Sequence, residues 1–130
     1  MLEINGQVIG PGERKTIKIP VGRIPSGNLI YLITHVFAAE EPGPVGLITG
    51  GIHGDEVNGV EIVRRAISRG MFERLQRGAL LVIPIVNVFG FINFSRDLPD
   101  GKDIRPKDRK GDQGNVHYAY VDRTPQRQCL

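Results

Sequence analysis

Val45-Gly46-Leu47-Ile48-Thr49 runs without a break into Gly50-Gly51-Ile52-His53-Gly54-Asp55-Glu56, and a helical pattern follows at once. The first five residues have strand composition, and the glycine-rich stretch after them reads as the loop between a strand and a helix. From about Glu56 to Ser68 the spacing predicts a helix, with Val57, Val60, Ile62, Val63, Ala66 and Ile67 mostly along one face and Arg64, Arg65 and Arg69 free to meet water. Gly70 is its natural stop. A short amphipathic piece, Met71 to Arg77, then leads through Gly78 to an apolar run ending at Val86, which predicts a strand over Leu80 to Val86. Strand, helix and strand in that order predict a βαβ unit with a parallel pair and a right-handed crossover.

Working outward toward the N-terminus, Thr16 to Val21 alternates apolar and polar residues as a half-buried strand does, after a Gly10-Pro11-Gly12 turn. Leu29 to Ala38 is rich in Ile, Tyr, Thr, Val and Phe, which suits a strand covered on both faces, and Pro42-Gly43-Pro44 is expected to end it. The fold class that follows is α/β, a mixed and largely parallel sheet with flanking helices. No internal repeat is visible, which excludes solenoids and propellers.

Composition bounds the function classes. The 130 residues suffice for one domain with its own core, at 40% hydrophobic and 24% charged. A single cysteine, Cys129, excludes an intrachain disulfide framework, and it has no evident partner that would make it a nucleophile. The N-terminus has no basic and apolar leader, and no apolar run is long enough to span a bilayer, so the chain is read as cytoplasmic with no membrane partner. Residues 1–100 hold ten Lys and Arg against ten Asp and Glu, so the formal charge of +3 lies wholly in residues 101–130. There, seven cations are diluted by four acids and three glycines, too sparse for a dense phosphate-binding stripe, and nucleic acid is not the expected partner.

In an open α/β sheet ligands collect beyond the carboxyl ends of the strands, where the Gly50 to Glu56 loop falls. His53 offers an imidazole nitrogen and Glu56 a carboxylate, three residues apart at a strand-to-helix junction, so both can converge on one metal ion. Each also has an ordinary structural use, His53 bonded to backbone and Glu56 at the positive end of a helix. Asp55 and Asn58 flank the pair. Asp55 is a candidate to orient the ligands from behind, and Asn58 a candidate helix cap.

The stretch GGIHGDEVNGVEIVRR over residues 50–65, the strand IPIVNVFGF after it and then SRDLPDGKDI together resemble the succinylglutamate desuccinylase and aspartoacylase family, a branch of the zinc carboxypeptidase-like fold. The resemblance covers roughly residues 15–104. It implies a Zn2+ cofactor held by His53 and Glu56, hydrolysis of the amide bond of an N-acyl amino acid or related amide, and a general-base glutamate from a later part of the chain. Arg96 matches the arginine that meets a substrate carboxylate, a task its forked guanidinium suits, although pairing with Asp97 or Asp100 would also occupy it. Asn87 resembles a family position that shapes a turn.

The resemblance stops at Ile104. The family continues with an Asn-Arg pair and Phe-Pro-Gly, whereas this chain reads Arg105-Pro106-Lys107-Asp108, and Pro106 restricts the backbone of Arg105. The later zinc-binding histidine and the later glutamate have no counterpart. His117 falls too early, with no strand expected before it to place it beside His53, and no glutamate follows Glu73. The expected organisation is therefore residues 1–104 as the N-terminal part of a zinc amidohydrolase domain, truncated, and 105–130 as a divergent, poorly ordered basic tail such as a frame disruption would leave. No catalytic residue is identifiable, only metal and substrate ligands. The alternative reading is a non-catalytic α/β binding module that associates through its sheet edge or basic tail. Neither the acyl group nor the oligomeric state is legible.

Overall fold

The structure, a computed structural model, describes residues 1–102 and the backbone of residues 116–121. The chain opens with a hairpin of two three-residue strands, β1 (Leu2–Ile4) and β2 (Gln7–Ile9), joined at Asn5 and Gly6, whose φ angles are 49° and 72°. Asn-Gly is the pair that such a turn favours because both central residues need positive φ. The sequence reading missed this hairpin because three-residue strands are too short to show a period.

Five further strands form one sheet: β3 (Arg14–Arg23), β4 (Leu29–Ala38), β5 (Glu41–Gly50), β6 (Arg77–Ile83) and β7 (Val116–Val121), in the order β3-β4-β6-β5-β7. Helix α1 (Val57–Ser68) connects β5 to β6, and these two strands pair in parallel as expected. Parallel character is confined to that pair among the described residues. The β3–β4, β4–β6 and β5–β7 pairings are antiparallel, so the sheet is mixed but not largely parallel. Direct hairpin connections, with no room for a crossover helix, dictate this for β3 and β4.

Other expectations shift at element ends. Pro42-Gly43-Pro44 lies inside β5, where a register irregularity between Glu41 and Val45 absorbs the missing proline N–H groups. β6 stops at Ile83, and Pro84 has no N–H with which to extend the ladder. Met71 to Arg74 forms turns rather than a helical piece, and Arg77 already begins β6. β4 is only partly covered, with Leu29 and Tyr31 exposed. The brief alternating run Val116 to Val121 in the expected tail is a strand, β7, against β5, and the rest of residues 103–130 lies outside the described residues.

The hairpin covers the sheet where Ile9, Ile17 and Val36 are buried together, with Leu2, Ile4, Ile19, Ala38 and Leu81 packed around them. On α1, Gly59 and Val63 face inward, while Val57 and Ile62 are exposed. No helix among the described residues is long and apolar enough to cross a membrane.

What positions the loop between β5 and α1 is its contact with the segment after β6. Gly50 and Gly51 carbonyls accept the backbone N–H groups of Val86 and Asn87 at 3.0 and 2.8 Å. Gly51 has φ 56°, which lets the chain turn out of the sheet at once. Helix α2 (Val88–Asn93) then crosses the loop so closely that a Cβ placed on Gly54 would overlap the backbone of Gly90 and Phe91. Only glycine permits that approach.

Two outcomes follow. Gly54→Ala must push α2 off the loop, and it is expected to destabilise the fold by about 2 kcal/mol or more, whereas Asp55→Ala at the exposed neighbouring position stays within about 0.5 kcal/mol. Urea denaturation of the two variants checks this. His35, half-buried on β4 with its Nδ1 3.1 Å from Thr16 Oγ1, has a pKa held below the usual 6.5 by burial. Its neutral ring is favoured in the fold, so the stability it confers is complete above pH 6.5 and is lost as pH falls through the folded value. Stability measured at about pH 7.5 and about pH 5 should therefore fall toward acid, and His35→Gln should flatten that slope.

Candidate metal centre

β5 delivers His53 beyond its carboxyl end, and the first turn of α1 delivers Glu56. The backbone N–H of Glu56 reaches the carbonyl of His53 at 3.2 Å, a tight turn that sets the two side chains on the same side of the loop. His53 Nδ1 lies 2.9 Å from Glu56 Oε1, and their side chains are 11% and 30% exposed. The donor set is one imidazole nitrogen and one carboxylate, both of which zinc accepts.

Two donors about 2.1 Å from a tetrahedral ion stand about 3.4 Å apart, so this pair needs to open by only about half an ångström to receive one. The residues therefore fit a metal ion as two of its ligands. A catalytic zinc takes three protein ligands. Among the described residues no group of three His, Cys, Asp or Glu side chains stands together to supply them.

A cation approaches the same carboxylate. Arg96 Nη1 is 3.3 Å from Glu56 Oε1, forty residues away in sequence. The expected alternative, pairing with Asp97 or Asp100, is not what occupies this contact. Asp100 is instead paired with Lys102 at 3.0 Å, and the lysine holds its carboxyl below the usual range. Imidazole, carboxylate and guanidinium thus form one line in which Glu56 Oε1 is shared.

Arg96 is carried by the loop that follows α2, and Asn87 ties that loop down. The Asn87 side chain accepts the Gly90 N–H at 2.8 Å, capping α2, and its amide donates to the carbonyls of Arg96 and Asp97 at 3.2 and 3.4 Å. Asn87 is 1% exposed. Helix α2 ends at Phe94 with φ 51°, and Ser95 N–H returns to the Gly90 carbonyl at 2.8 Å, which turns the chain back toward Glu56.

The structure thus brings together His53, Glu56 and Arg96 from the sequence reading. Asp55 is exposed beside them and hydrogen-bonds neither member of the pair. Asn58 does not cap α1: Glu56 holds the cap position, without a side-chain hydrogen bond, and Asn58 is an exposed helical residue. The reach of Asn87 across to Arg96 was missed. Its signal was an asparagine directly before a short apolar stretch, a helix-cap pattern. The backbone of His117 lies opposite Thr49 on β7, at the end of β5 that leads to His53, although no strand was expected to bring it there. Arg105 and Cys129 lie outside the described residues.

Comparison with known proteins agrees with this architecture. The profile of the Succinylglutamate desuccinylase/Aspartoacylase catalytic domain matches residues 42–106, which include the whole of the His53, Glu56 and Arg96 cluster. An N-alpha-acetyl-L-2,4-diaminobutyric acid deacetylase of Halomonas elongata is 31% identical over 71 residues, 55% of this chain and 20% of the relative. An aspartoacylase family protein from Mesorhizobium loti superposes with a TM-score of 0.58 at 28% identity, over 72% of this chain and 29% of that one. A succinylglutamate desuccinylase/aspartoacylase from Rhodobacter sphaeroides gives 0.57 at 27% identity, over 79% and 32%. The chain spans about a fifth of the curated relative's length and under a third of these two solved structures. The fold is that of the aspartoacylase-type, zinc carboxypeptidase-like proteins, and the chain belongs to the succinylglutamate desuccinylase/aspartoacylase catalytic domain family.

Proposed function

We propose that this chain carries the metal-binding and part of the substrate-binding apparatus of a zinc-dependent hydrolase acting on the amide bond of N-acyl amino acids. The observation that carries the reading is the convergence of His53 Nδ1, Glu56 Oε1 and the Arg96 guanidinium on one point beyond β5. The family membership and the deacetylase relative support an acylated amino acid as substrate class.

His53 and Glu56 would hold the zinc. When bound, the ion supplies Lewis acidity that polarises an amide carbonyl and brings the pKa of water down to about 7. His53 contributes a neutral nitrogen and Glu56 a negative charge, so together they offset one of the ion's two charges and leave it strongly electrophilic. Arg96, half-exposed at the rim, would take the carboxylate of the amino-acid part of the substrate. Its planar fork can bind a carboxylate through two N–H groups at once, and that fixes the amide relative to His53 and Glu56. The glycines at 50, 51 and 54 let the loop that bears the pair pack against Pro84, Ile85 and Gly90 without a clash.

With two ligands in place of three among the described residues, the metal affinity of the isolated chain should be weak. Without the later glutamate that the resemblance implies as general base, a further factor of about 10² to 10⁴ in rate is forgone. The purified protein is therefore expected to take up zinc in a manner abolished by His53→Ala and by Glu56→Ala, and to hydrolyse N-acetyl or N-succinyl amino acids negligibly. Fusion to the remaining portion of a deacetylase relative should raise both affinity and turnover. Metal titration with a competing chelator and a hydrolysis assay on each protein measure this. Zinc uptake indifferent to His53 would overturn the metal assignment in favour of a non-catalytic binding module. Robust turnover by the 130-residue chain alone would show that residues 105–130 complete the site, with His117 the first to replace.

A further inference from the structure

Asn87 touches three parts of the site at once. Its backbone N–H holds the Gly51 carbonyl at 2.8 Å, its side-chain oxygen takes the Gly90 N–H at 2.8 Å, and its amide nitrogen spans the Arg96 and Asp97 carbonyls at 3.2 and 3.4 Å. These neighbours also fix the orientation of the amide, since an N–H on one side demands the oxygen and two carbonyls on the other demand the nitrogen. We propose that Asn87 is the positioning residue for Arg96, holding the loop that bears it against the His53–Glu56 loop so that the guanidinium stands ready for a substrate carboxylate. The inference rests on the reading of Arg96 given under the proposed function.

Three features single out this residue rather than the packing around it. First, Arg96 is long and half-exposed, and its contact with Glu56 at 3.3 Å is too loose and too near water to set its place. What orients such a side chain is the backbone it hangs from, and Asn87 bonds the carbonyl of that very residue. Second, the tether is buried, with Asn87 1% exposed, so water does not compete for the donors and their loss leaves carbonyls poorly satisfied. Third, the position needs an acceptor on one side and a donor on the other, which selects asparagine over aspartate and serine. Aspartate would keep the cap on α2 but face two carbonyls with an oxygen. Serine would also keep the cap, but it is too short to reach the Arg96 loop and has no second polar arm.

The same logic separates positioning from mere stability. A helix cap alone is served by serine or aspartate, so a variant that keeps the cap and loses the tether should fold while Arg96 drifts. His53 and Glu56 sit on the other loop, reached through the Asn87 backbone N–H that every residue except proline retains. Metal affinity and carboxylate affinity should therefore part company.

The experiment compares the wild-type chain with Asn87→Ser, Asn87→Asp, Arg96→Gln and the Asn87→Ser/Arg96→Gln double variant. Each is titrated with zinc and then, at saturating zinc, with N-acetylglycine followed by NMR. Asn87→Ser is expected to keep zinc affinity within about twofold and to lose about tenfold in N-acetylglycine affinity, with Asn87→Asp behaving alike. The double variant should be no weaker than Arg96→Gln alone, because the asparagine acts through the arginine. Losses that add in the double variant, zinc affinity that falls with the tether, or unchanged N-acetylglycine affinity in both Asn87 variants would each overturn the positioning role while leaving the metal reading intact. No N-acetylglycine binding by wild type, or binding indifferent to Arg96→Gln, would instead overturn the carboxylate role of Arg96, and this inference with it.

Discussion

The two hydrogen bonds from the N–H groups of Val86 and Asn87 to the carbonyls of Gly50 and Gly51 are what turn a sheet edge into a site. They continue the β5–β6 pairing past the last regular residue of either strand, at the point where both chains leave the sheet. In a parallel pair the two strands end side by side, so the segments that follow them are neighbours by construction. One segment carries His53 and Glu56, and the other leads through α2 to Arg96. Their proximity is thus a consequence of topology, refined by the bare backbone at Gly54 against Gly90. A side chain at Gly54 would separate the loops, and no adjustment of His53 or Arg96 rotamers would recover the lost distance.

How much of this was legible in the sequence depended on the range of the interaction that decided each feature. The β5–α1–β6 unit was readable because its periods are long and its glycine punctuation falls between them. Glu56 and His53 were readable as a pair because three residues and one turn fix their separation. The contact of Arg96 with Glu56 was not, since the nearby Asp97 and Asp100 were as plausible on charge as a residue forty positions away. The β4–β6 pairing was likewise hidden, because strand composition says how well a segment fits a pleated sheet and not which neighbour it takes, whereas the short link from Arg23 to Leu29 already required β3 and β4 to be antiparallel. The N-terminal hairpin had a clear signal in Asn5-Gly6, but its strands are too short for a period to declare them.

The electrostatics of the cluster follow from sharing one oxygen. In the absence of an ion, Glu56 Oε1 is in contact with a nitrogen of His53 on one side and the Arg96 guanidinium on the other, so the partly buried carboxylate keeps polar company. A metal ion would enter between the imidazole and the carboxylate, displacing the first contact and repelling the arginine that makes the second. That repulsion is modest because Arg96 is half-exposed and solvent screens it. It also has a direction: a guanidinium turned away from Glu56 while its backbone stays tethered at Asn87 faces outward over the site, where an anionic group could meet it. By contrast, the Glu61 cluster on the solvent face of α1 is local and inert in this respect. Arg64 and Arg65 bond its carboxylate, holding it down at about 2, yet all three side chains are largely exposed to water.

A ligand pair built within one turn of chain and a ligand brought from elsewhere obey different constraints. The separation of His53 and Glu56 is set by the one tight turn between them, where the Glu56 N–H meets the His53 carbonyl. A third donor has no candidate on that loop, where Asp55 is exposed beside the pair without bonding to either, so it must come from a separate strand. The strand order places β7 along β5, with the backbone of residue 117 opposite Thr49, and any donor reaching the site from this side must be delivered by whatever chain pairs with that edge. On the proposed metal assignment, affinity would therefore be governed less by His53 and Glu56 than by which segment occupies the outer edge of β5. The strand on that edge here, β7, begins ten residues beyond the matched region.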